Sequence, residues 1–317
     1  MKIGRLWSIH ATMSLVTVIL PVFALIAIGL VARQRRLLEP SAFRGLTDVV
    51  FFLAMPALLF GAIVQGPSFD LVDIASVYFA ACLAIFAFGL TLGRLLKFPL
   101  PRAAMLGLNA SYGNTVMLGI PIIVAALGAE ALPPLLAIIA LHSAIMLPLA
   151  GTLVEIGTTG QKRPRAIVAG ALNRTLRNPI IMSIVAAFLW RALHLPLPGP
   201  LHELLRLLGA AGIPLALICL GGSLRAPKAG ALGMDMVIGT VLKLAAMPAL
   251  VWVIGRWAGL PALPLTVAIV TAGMPTGANA FLLARRADDL LEISAATVVA
   301  TTLLSLLTLY GLLHMLA

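Results

Sequence analysis

Residues 109–121 read NASYGNTVMLGIP, and residues 271–280 read TAGMPTGANA. Each stretch lies inside a long apolar segment and combines proline, glycine and asparagine. In a helix interior, proline costs about 3 kcal/mol and glycine about 1 kcal/mol. Lipid offers no water to the backbone groups that such a break frees, so a break is tolerated only inside protein or beside a wet cavity. The two stretches therefore predict two interrupted membrane helices.

The composition of the whole chain is that of a membrane protein. Of its 317 residues, 61% are hydrophobic and 10% are charged, whereas an average soluble domain is about 25% charged. So few charges cannot form the polar shell of a soluble fold, which excludes a soluble enzyme, a disordered chain and a secreted disulfide scaffold. The two cysteines, Cys82 and Cys219, lie in apolar runs, and we expect them to be small apolar fillers.

Ten apolar segments follow one another along the chain, and we expect each to form a membrane helix. The first could imitate a signal peptide, but it is too long for a typical hydrophobic region and lacks a clear cleavage site. The segments lie at about 14–32, 45–64, 73–93, 103–128, 131–157, 179–193, 203–222, 236–255, 262–284 and 290–316.

The basic residues predict the orientation. With the N-terminus outside, 16 of the 22 Lys and Arg residues fall in inside loops and 5 fall outside. This asymmetry follows the positive-inside rule and predicts that both termini are extracytoplasmic. The basic loop 158–177 would then be cytoplasmic, either as a plain topology determinant or lying on the anionic inner leaflet. The net charge of +11 is thus an orientation signal, and no nucleic-acid partner is expected.

Landmarks in the first half of the chain recur in the second half. Pro21 precedes Pro179 by 158 residues, and Pro56 precedes Pro214 by the same distance. Two further pairs follow in the same order: Gly93-Arg94 with Gly255-Arg256, and Pro121 with Pro275. Five helices per repeat force the second copy to be inverted in the membrane. We therefore predict a first repeat at 1–157, a basic cytoplasmic linker at 158–177 and a second, inverted repeat at 178–317.

The interrupted fourth and ninth helices would bring half-helix ends together near the membrane midplane. The N-terminal ends present free N–H groups and partial positive charge, which suit a carboxylate. Two kinks that serve only packing are the alternative interpretation. The predicted substrate-binding residues are Gly113, Asn114, Thr115, Pro121, Pro275, Thr276, Gly277 and Asn279, with His142 and Ser143 of the fifth segment.

Lys243 lies seven residues inside the eighth segment and cannot be assigned to a loop. Ionisable groups inside a membrane usually face a cavity or a partner. Asp73, at the start of the third segment, is one candidate partner, because the third and eighth helices are repeat mates; Asp48 is another. A Lys243–Asp73 pair would tune substrate charge or carry a proton. Extension of the lysine to a membrane interface is the alternative.

Motifs for enzymatic or ATP-driven activity are absent from the sequence. His202-Glu203 is not followed by a histidine at position 206, and Gly222-Ser223 does not continue into a nucleophile elbow. There is no phosphate-binding loop of the G-x-x-x-x-G-K-[ST] type. We therefore expect no catalytic residue, no metal and no cofactor.

The chain resembles bacterial members of the auxin efflux carrier family over essentially its whole length. The resemblance rests on six motifs: Met55-Pro56, Ser111–Asn114 with Gly119–Pro121, Leu141–Ser143, Asn178-Pro179, Lys243 with Pro248, and Met274–Gly277. Plant members commonly carry Gln-Ser where this chain has His142-Ser143. They also carry aromatic residues at Leu147 and Pro148 and a long loop between the fifth and sixth helices, and this chain lacks both features.

The resemblance implies an all-α membrane protein of ten helices, in two inverted repeats with crossing fourth and ninth helices. It implies a scaffold bundle, a transport bundle and export or exchange of organic anions, with Asn114 as the carboxylate-binding amide and the backbone near Asn279 opposite it. Members often form homodimers, and bacterial members in the inner membrane often carry the name of malonate or other dicarboxylate transporters. A related architecture, the bile-acid type, provides the alternative of a Na⁺- or H⁺-coupled symporter. A permease subunit of a larger complex is a further alternative.

Overall fold

A computed structural model of the chain describes residues 15–66, 71–159, 177–224, 233–277, 280 and 288–316. In this part of the chain the secondary structure consists of helices and one isolated β-bridge, so the predicted all-α class is confirmed. A helix lies in each of the ten predicted apolar segments. The helices are α1 (Leu15–Gln34), α2 (Pro40–Gln65), α3 (Leu71–Leu95), α4a (Leu100–Ser111), α4b (Ile120–Leu127), α5 (Leu132–Thr159), α6 (Pro179–Ala192), α7 (Gly199–Ser223), α8 (Met234–Trp257), α9 (Ala262–Ala272) and α10 (Asp288–Leu316).

Six of the described helices are long and apolar enough to cross a membrane: α2, α3, α5, α7, α8 and α10. Shorter apolar helices lie in the other four segments. Widened π-helical turns precede three prolines, at Val50–Ala54, Thr115–Gly119 and Leu242–Ala246. Proline cannot donate the usual helical hydrogen bond, and a widened turn accommodates that loss. The last of these turns contains Lys243.

One compact unit is drawn from residues 1–69, 116–136 and 175–224. In it, α1 packs along α7 and α2 packs along α6. Glycines bring the first pair of backbones close together, because Gly29 lies against the carbonyl of Ile218 and Gly221 against the carbonyl of Ile26. Close approach at small residues is the usual way in which membrane helices associate.

Two arginines cap helix ends within this unit. Arg33, near the end of α1, donates to the carbonyl oxygen of Gly222 at the end of α7 over 2.7 Å. Arg191, near the end of α6, donates to the carbonyl oxygen of Gly66 at the end of α2 over 2.8 Å. Each guanidinium also reaches a second carbonyl of the same helix end. The two caps are 158 positions apart (191 − 33), the offset that separates Pro21 from Pro179.

The backbone after each of these arginines follows the same path. Arg36 has φ 55° and His194 has φ 52°, so both lie in the left-handed region. They too are separated by 158 residues (194 − 36). The N–H of Arg36 donates to Arg33 O and that of His194 donates to Arg191 O. The sequence repeat therefore has a counterpart in matched helix C-termini of α1 and α6.

The second compact unit is drawn from residues 70–115, 137–174 and 225–317. Here α3 packs against α4a, and α8 packs against α9. An ion pair between Arg102 and the buried Asp235, 2.9 Å long, joins the first turns of α4a and α8. Both compact units contain segments of both predicted repeats. The predicted repeat boundaries stay a prediction, and the predicted linker 158–177 lies largely outside the described residues.

Candidate functional site

Both predicted helix interruptions are present. Helix α4a ends at Ser111, residues 112–114 are non-helical, and a π-helical turn begins at Thr115. Helix α9 ends at Ala272, and residues 273–277 are non-helical. Gly113, Gly273, Pro275 and Gly277 therefore lie in the interruptions or directly beside them, whereas Pro121 lies further along, in α4b.

The two interruptions are hydrogen-bonded to each other as a short antiparallel bridge. The N–H of Asn114 donates to Pro275 O over 2.8 Å, and the N–H of Gly277 donates to Tyr112 O over 2.9 Å. Gly113 and Thr276 form the bridge itself. We call residues 112–114 and 275–277 the crossover bridge. This pairing satisfies peptide groups that the broken helices leave without partners.

Two hydrogen bonds of Thr276 hold the crossover bridge in place. Its hydroxyl donates to Asn109 O over 2.7 Å, and its N–H donates to the Thr301 hydroxyl over 3.1 Å. The side-chain oxygen of Asn109 accepts from Ser294 over 3.0 Å. All four residues are buried. Hydroxyl groups of α10 therefore hold the bridge in place, a contribution that we did not predict from the sequence.

Lys243 reaches the crossover bridge from α8. Its side chain is fully buried, and its Nζ donates to the carbonyl oxygen of Ala272, the last residue of α9. A Cβ placed on Gly113 would lie 3.5 Å from this Nζ. The described residues provide no carboxylate partner for Lys243. The lysine thus points into the protein and does not extend to a membrane interface.

Asp73 does not lie beside Lys243. It is an exposed residue in the first turn of α3, whereas Lys243 is buried within α8. The expected Lys243–Asp73 pair is therefore not formed, because the repeat relation between their helices did not fix the depth of either side chain.

His142 packs beside the crossover bridge. The N–H of Gly113 donates to His142 Nε2 over 3.3 Å, and the imidazole lies edge-on to Tyr112 at 4.7 Å. Because Nε2 accepts, the proton of the neutral ring is on Nδ1. That Nδ1 is buried and has no hydrogen-bond partner among the described residues. Ser143 shares a 2.7 Å hydrogen bond with the Tyr112 hydroxyl.

The other predicted site residues are placed as follows. Asn114 is 7% exposed and Thr115 is 6% exposed, and within the described chain the Asn114 amide forms no side-chain hydrogen bond. Pro121 lies in α4b, in the first compact unit. Asn279 lies outside the described residues. The structure thus brings together Gly113, Asn114, Pro275, Thr276, Gly277, His142, Ser143 and Lys243 in the second unit.

Two polar contacts of the second compact unit were not predicted from the sequence. Cys82 is buried, as expected of an apolar filler, but its thiol also donates to Ser111 O over 3.4 Å. Arg102 was counted only as a topology determinant, and its guanidinium pairs with Asp235. The sequence signal for the second contact is Asp235, an acidic residue at the edge of the eighth apolar segment, for which no partner was predicted.

The chemistry of this cluster favours an anion. It combines a buried ammonium, an imidazole N–H and an amide, and stretches 109–121 and 271–280 contain no Asp or Glu. Donors without acceptors inside an apolar environment are costly until a ligand supplies the acceptor. A carboxylate would supply two acceptor oxygens and the missing negative charge.

Comparison with known proteins places the chain among transporters. The family described as "Membrane transport protein" matches residues 14–313. The chain is 27% identical over 305 residues to a Rhizobium meliloti protein named "Putative malonate transporter", with 94% of each chain covered. It is 25% identical over 298 residues to an uncharacterized transporter of Methanocaldococcus jannaschii, covering 92% of this chain and 96% of the relative. With nearly its full length matched, the chain belongs to the membrane transport protein family, the auxin efflux carriers, and is a multi-pass membrane protein.

Proposed function

We propose that the protein is a secondary transporter that moves a small organic anion across the membrane by alternating access. The observation that carries this proposal is the crossover bridge with its buried Lys243, together with the Asn114 amide and the His142 Nδ1, for which the described residues provide no hydrogen-bond partner. The substrate is a carboxylate, and malonate is the first candidate because a relative of similar length carries that name.

The three side chains have distinct roles in this proposal. The Asn114 amide donates to one carboxylate oxygen, and the His142 Nδ1–H donates to an oxygen of the same ligand. Lys243, a residue of α8, supplies the positive charge beside the last carbonyl of α9. Hydrogen bonds that involve a charged group contribute about 1.5–3 kcal/mol each, so the loss of one of them is expected to weaken binding by roughly tenfold or more.

The proposed architecture has ten membrane helices in two inverted five-helix repeats. The matched caps of Arg33 and Arg191, at the same offset as the paired prolines, support this arrangement. Both termini are extracytoplasmic in a bacterial inner membrane, as the basic residues predict. A homodimer is a proposal that rests on the family resemblance alone.

Transport assays test the proposed function. The purified protein, reconstituted in liposomes, is presented with labelled malonate, other dicarboxylates and monocarboxylates under imposed pH, Na⁺ and voltage gradients. We expect carboxylate uptake above that of protein-free liposomes, without any further subunit. Uptake of none of these anions under any gradient would contradict the proposal.

A labelling experiment tests the proposed orientation. A Gly160→Cys variant carries one new thiol in the basic loop, while the native Cys82 and Cys219 are buried. We expect a membrane-impermeant maleimide to label inverted membrane vesicles and to leave intact spheroplasts unlabelled. The opposite pattern would overturn the orientation.

A further inference from the structure

Three aromatic rings pack around the His142 imidazole. Tyr112, in the crossover bridge, lies edge-on to it at 4.7 Å. Two rings of α3 also approach it, with centroid distances of 5.5 Å for Tyr78 and 6.0 Å for Phe79. Tyr78 is fully buried, and His142 is 2% exposed. We call these four residues, all of the second compact unit, the aromatic cluster.

Two polar atoms of the aromatic cluster have no hydrogen-bond partner among the described residues: the Tyr78 hydroxyl and His142 Nδ1. A buried tyrosine hydroxyl usually finds a partner, and a buried polar group without one is costly. The other polar side-chain atoms of the cluster are satisfied, since the Tyr112 hydroxyl is bonded to Ser143 and His142 Nε2 accepts from Gly113. The two unsatisfied atoms therefore belong to neighbouring side chains.

Tyr78 lies on the face of α3 that is turned toward the crossover bridge. Cys82 follows it by four residues, which places the two side chains on the same face of the helix. The Cys82 thiol donates to Ser111 O at the end of α4a over 3.4 Å, and the crossover bridge begins at the next residue. Tyr78 is therefore one of the side chains that surround the proposed anion site.

The two unsatisfied atoms suit an oxygen acceptor. Nδ1 of His142 donates, because Nε2 accepts, and a tyrosine hydroxyl can donate as well. One carboxylate can accept from both, since its two oxygens offer about four lone-pair sites. The Asn114 amide is a separate donor, in the crossover bridge. A buried water would also satisfy both atoms, but a water does not distinguish a dicarboxylate from a monocarboxylate.

We infer that Tyr78 is a specificity-determining residue: together with His142 it binds the second carboxylate of a dicarboxylate, whose first carboxylate is bound by Asn114. The inference rests on the proposed function, because it assigns one part of that site to one part of the same ligand. It implies a preference for malonate over propionate, in which a methyl group replaces one carboxylate. Propionate leaves both donors of the aromatic cluster unsatisfied, and a site built to hydrogen-bond a ligand rejects an analogue that lacks the bonded group.

Binding of malonate and of propionate to purified Tyr78→Phe, which loses the hydroxyl and keeps the ring, tests this role. We expect the ratio of the propionate Kd to the malonate Kd to fall at least about fivefold below that of the wild type. Thr308→Val is the control, because it removes another buried hydroxyl without a described partner, and it should keep the wild-type ratio. An unchanged ratio in Tyr78→Phe overturns the inference and leaves the proposed function intact. No binding of either anion by the wild type contradicts the proposed function instead.

Thermal unfolding in detergent separates a ligand-binding hydroxyl from a structural one. Since the Tyr78 hydroxyl has no described partner, we expect Tyr78→Phe without ligand to unfold at the wild-type temperature or above it. The same concentration of malonate should raise the unfolding temperature of the wild type more than that of the variant, because stabilisation by a ligand grows with its affinity. A variant that fails to fold, or that unfolds well below the wild type without ligand, overturns the inference. An equal malonate effect on both proteins overturns it as well.

Discussion

Replacing Gly277 by alanine places a methyl group inside the crossover bridge. The new Cβ would lie 2.6 Å from Tyr112 Cε1 and 2.9 Å from Gly113 O, whereas ordinary contacts lie at about 3.5–4.0 Å. The tyrosine ring cannot swing away freely, because its hydroxyl is bonded to Ser143 and its ring packs on His142. We therefore expect the two strands of the bridge to separate.

Separation breaks the two bridge hydrogen bonds, Asn114 N–H to Pro275 O and Gly277 N–H to Tyr112 O. Each buried group that is left without a partner costs about 1–3 kcal/mol. Two broken bonds at about 1–2 kcal/mol each, the lower part of that range because the backbone relaxes in part, give a total cost of about 2–4 kcal/mol. If that cost falls on the binding-competent conformation, it corresponds to a loss of about 30- to 700-fold in affinity.

The assay combines malonate binding with thermal unfolding of the purified variant. Gly311→Ala is the matched control, since a Cβ at Gly311 meets no atom within 4 Å. Truncation of the ring in a Tyr112→Ala, Gly277→Ala double variant removes part of the clash, so the two effects should be strongly non-additive. A Gly277→Ala variant with the malonate affinity and the unfolding temperature of the wild type would refute the reasoning. Additive effects in the double variant would refute it as well.

Three further outcomes follow from the geometry. Gly221→Ala forces the α1 and α7 backbones apart at Ile26 O, and overpacking of this kind lowers the free energy of unfolding by about 1–3 kcal/mol in a chemical-denaturation series. Arg102→Met leaves the buried Asp235 carboxylate without its cation, so it should lower the free energy of unfolding by about 1–3 kcal/mol. The same substitution should cost less in an Asp235→Asn background, where no carboxylate is left unpaired. His142→Gln keeps an acceptor for the Gly113 N–H and a donor for the anion, so uptake should stay within threefold of wild type, whereas His142→Leu should lose at least tenfold.

The helical class and the places of interruption could be predicted from the sequence because they depend on local chemistry. Apolar runs of membrane length and prolines inside them are readable without tertiary contacts. The two repeats stay a prediction, and the caps at Arg33 and Arg191 have the same spacing as Pro21 and Pro179. The carboxyl-terminal part of the ninth segment, with Asn279, lies outside the described residues.

Contacts between side chains that are far apart in the sequence could not be predicted in this way. Arg102 and Asp235 are 133 residues apart, and each alone has the properties of a membrane-edge residue. Asp73 was chosen as the partner of Lys243 from the repeat relation, but the depth and rotation of a side chain depend on helix packing, which a single sequence does not reveal. For the same reason the sequence did not indicate that Thr276 is held by Asn109 and Thr301.

Equilibrium binding of labelled malonate to the purified wild type and to Asn114→Ala tests the central claim most directly. Thr308→Val is the control, because the Thr308 hydroxyl is a buried group without a hydrogen-bond partner among the described residues. A crossover site predicts saturable malonate binding by the wild type and by the control, with a Kd at least tenfold higher for Asn114→Ala. An unchanged Kd in Asn114→Ala, with both proteins folded, would contradict the account.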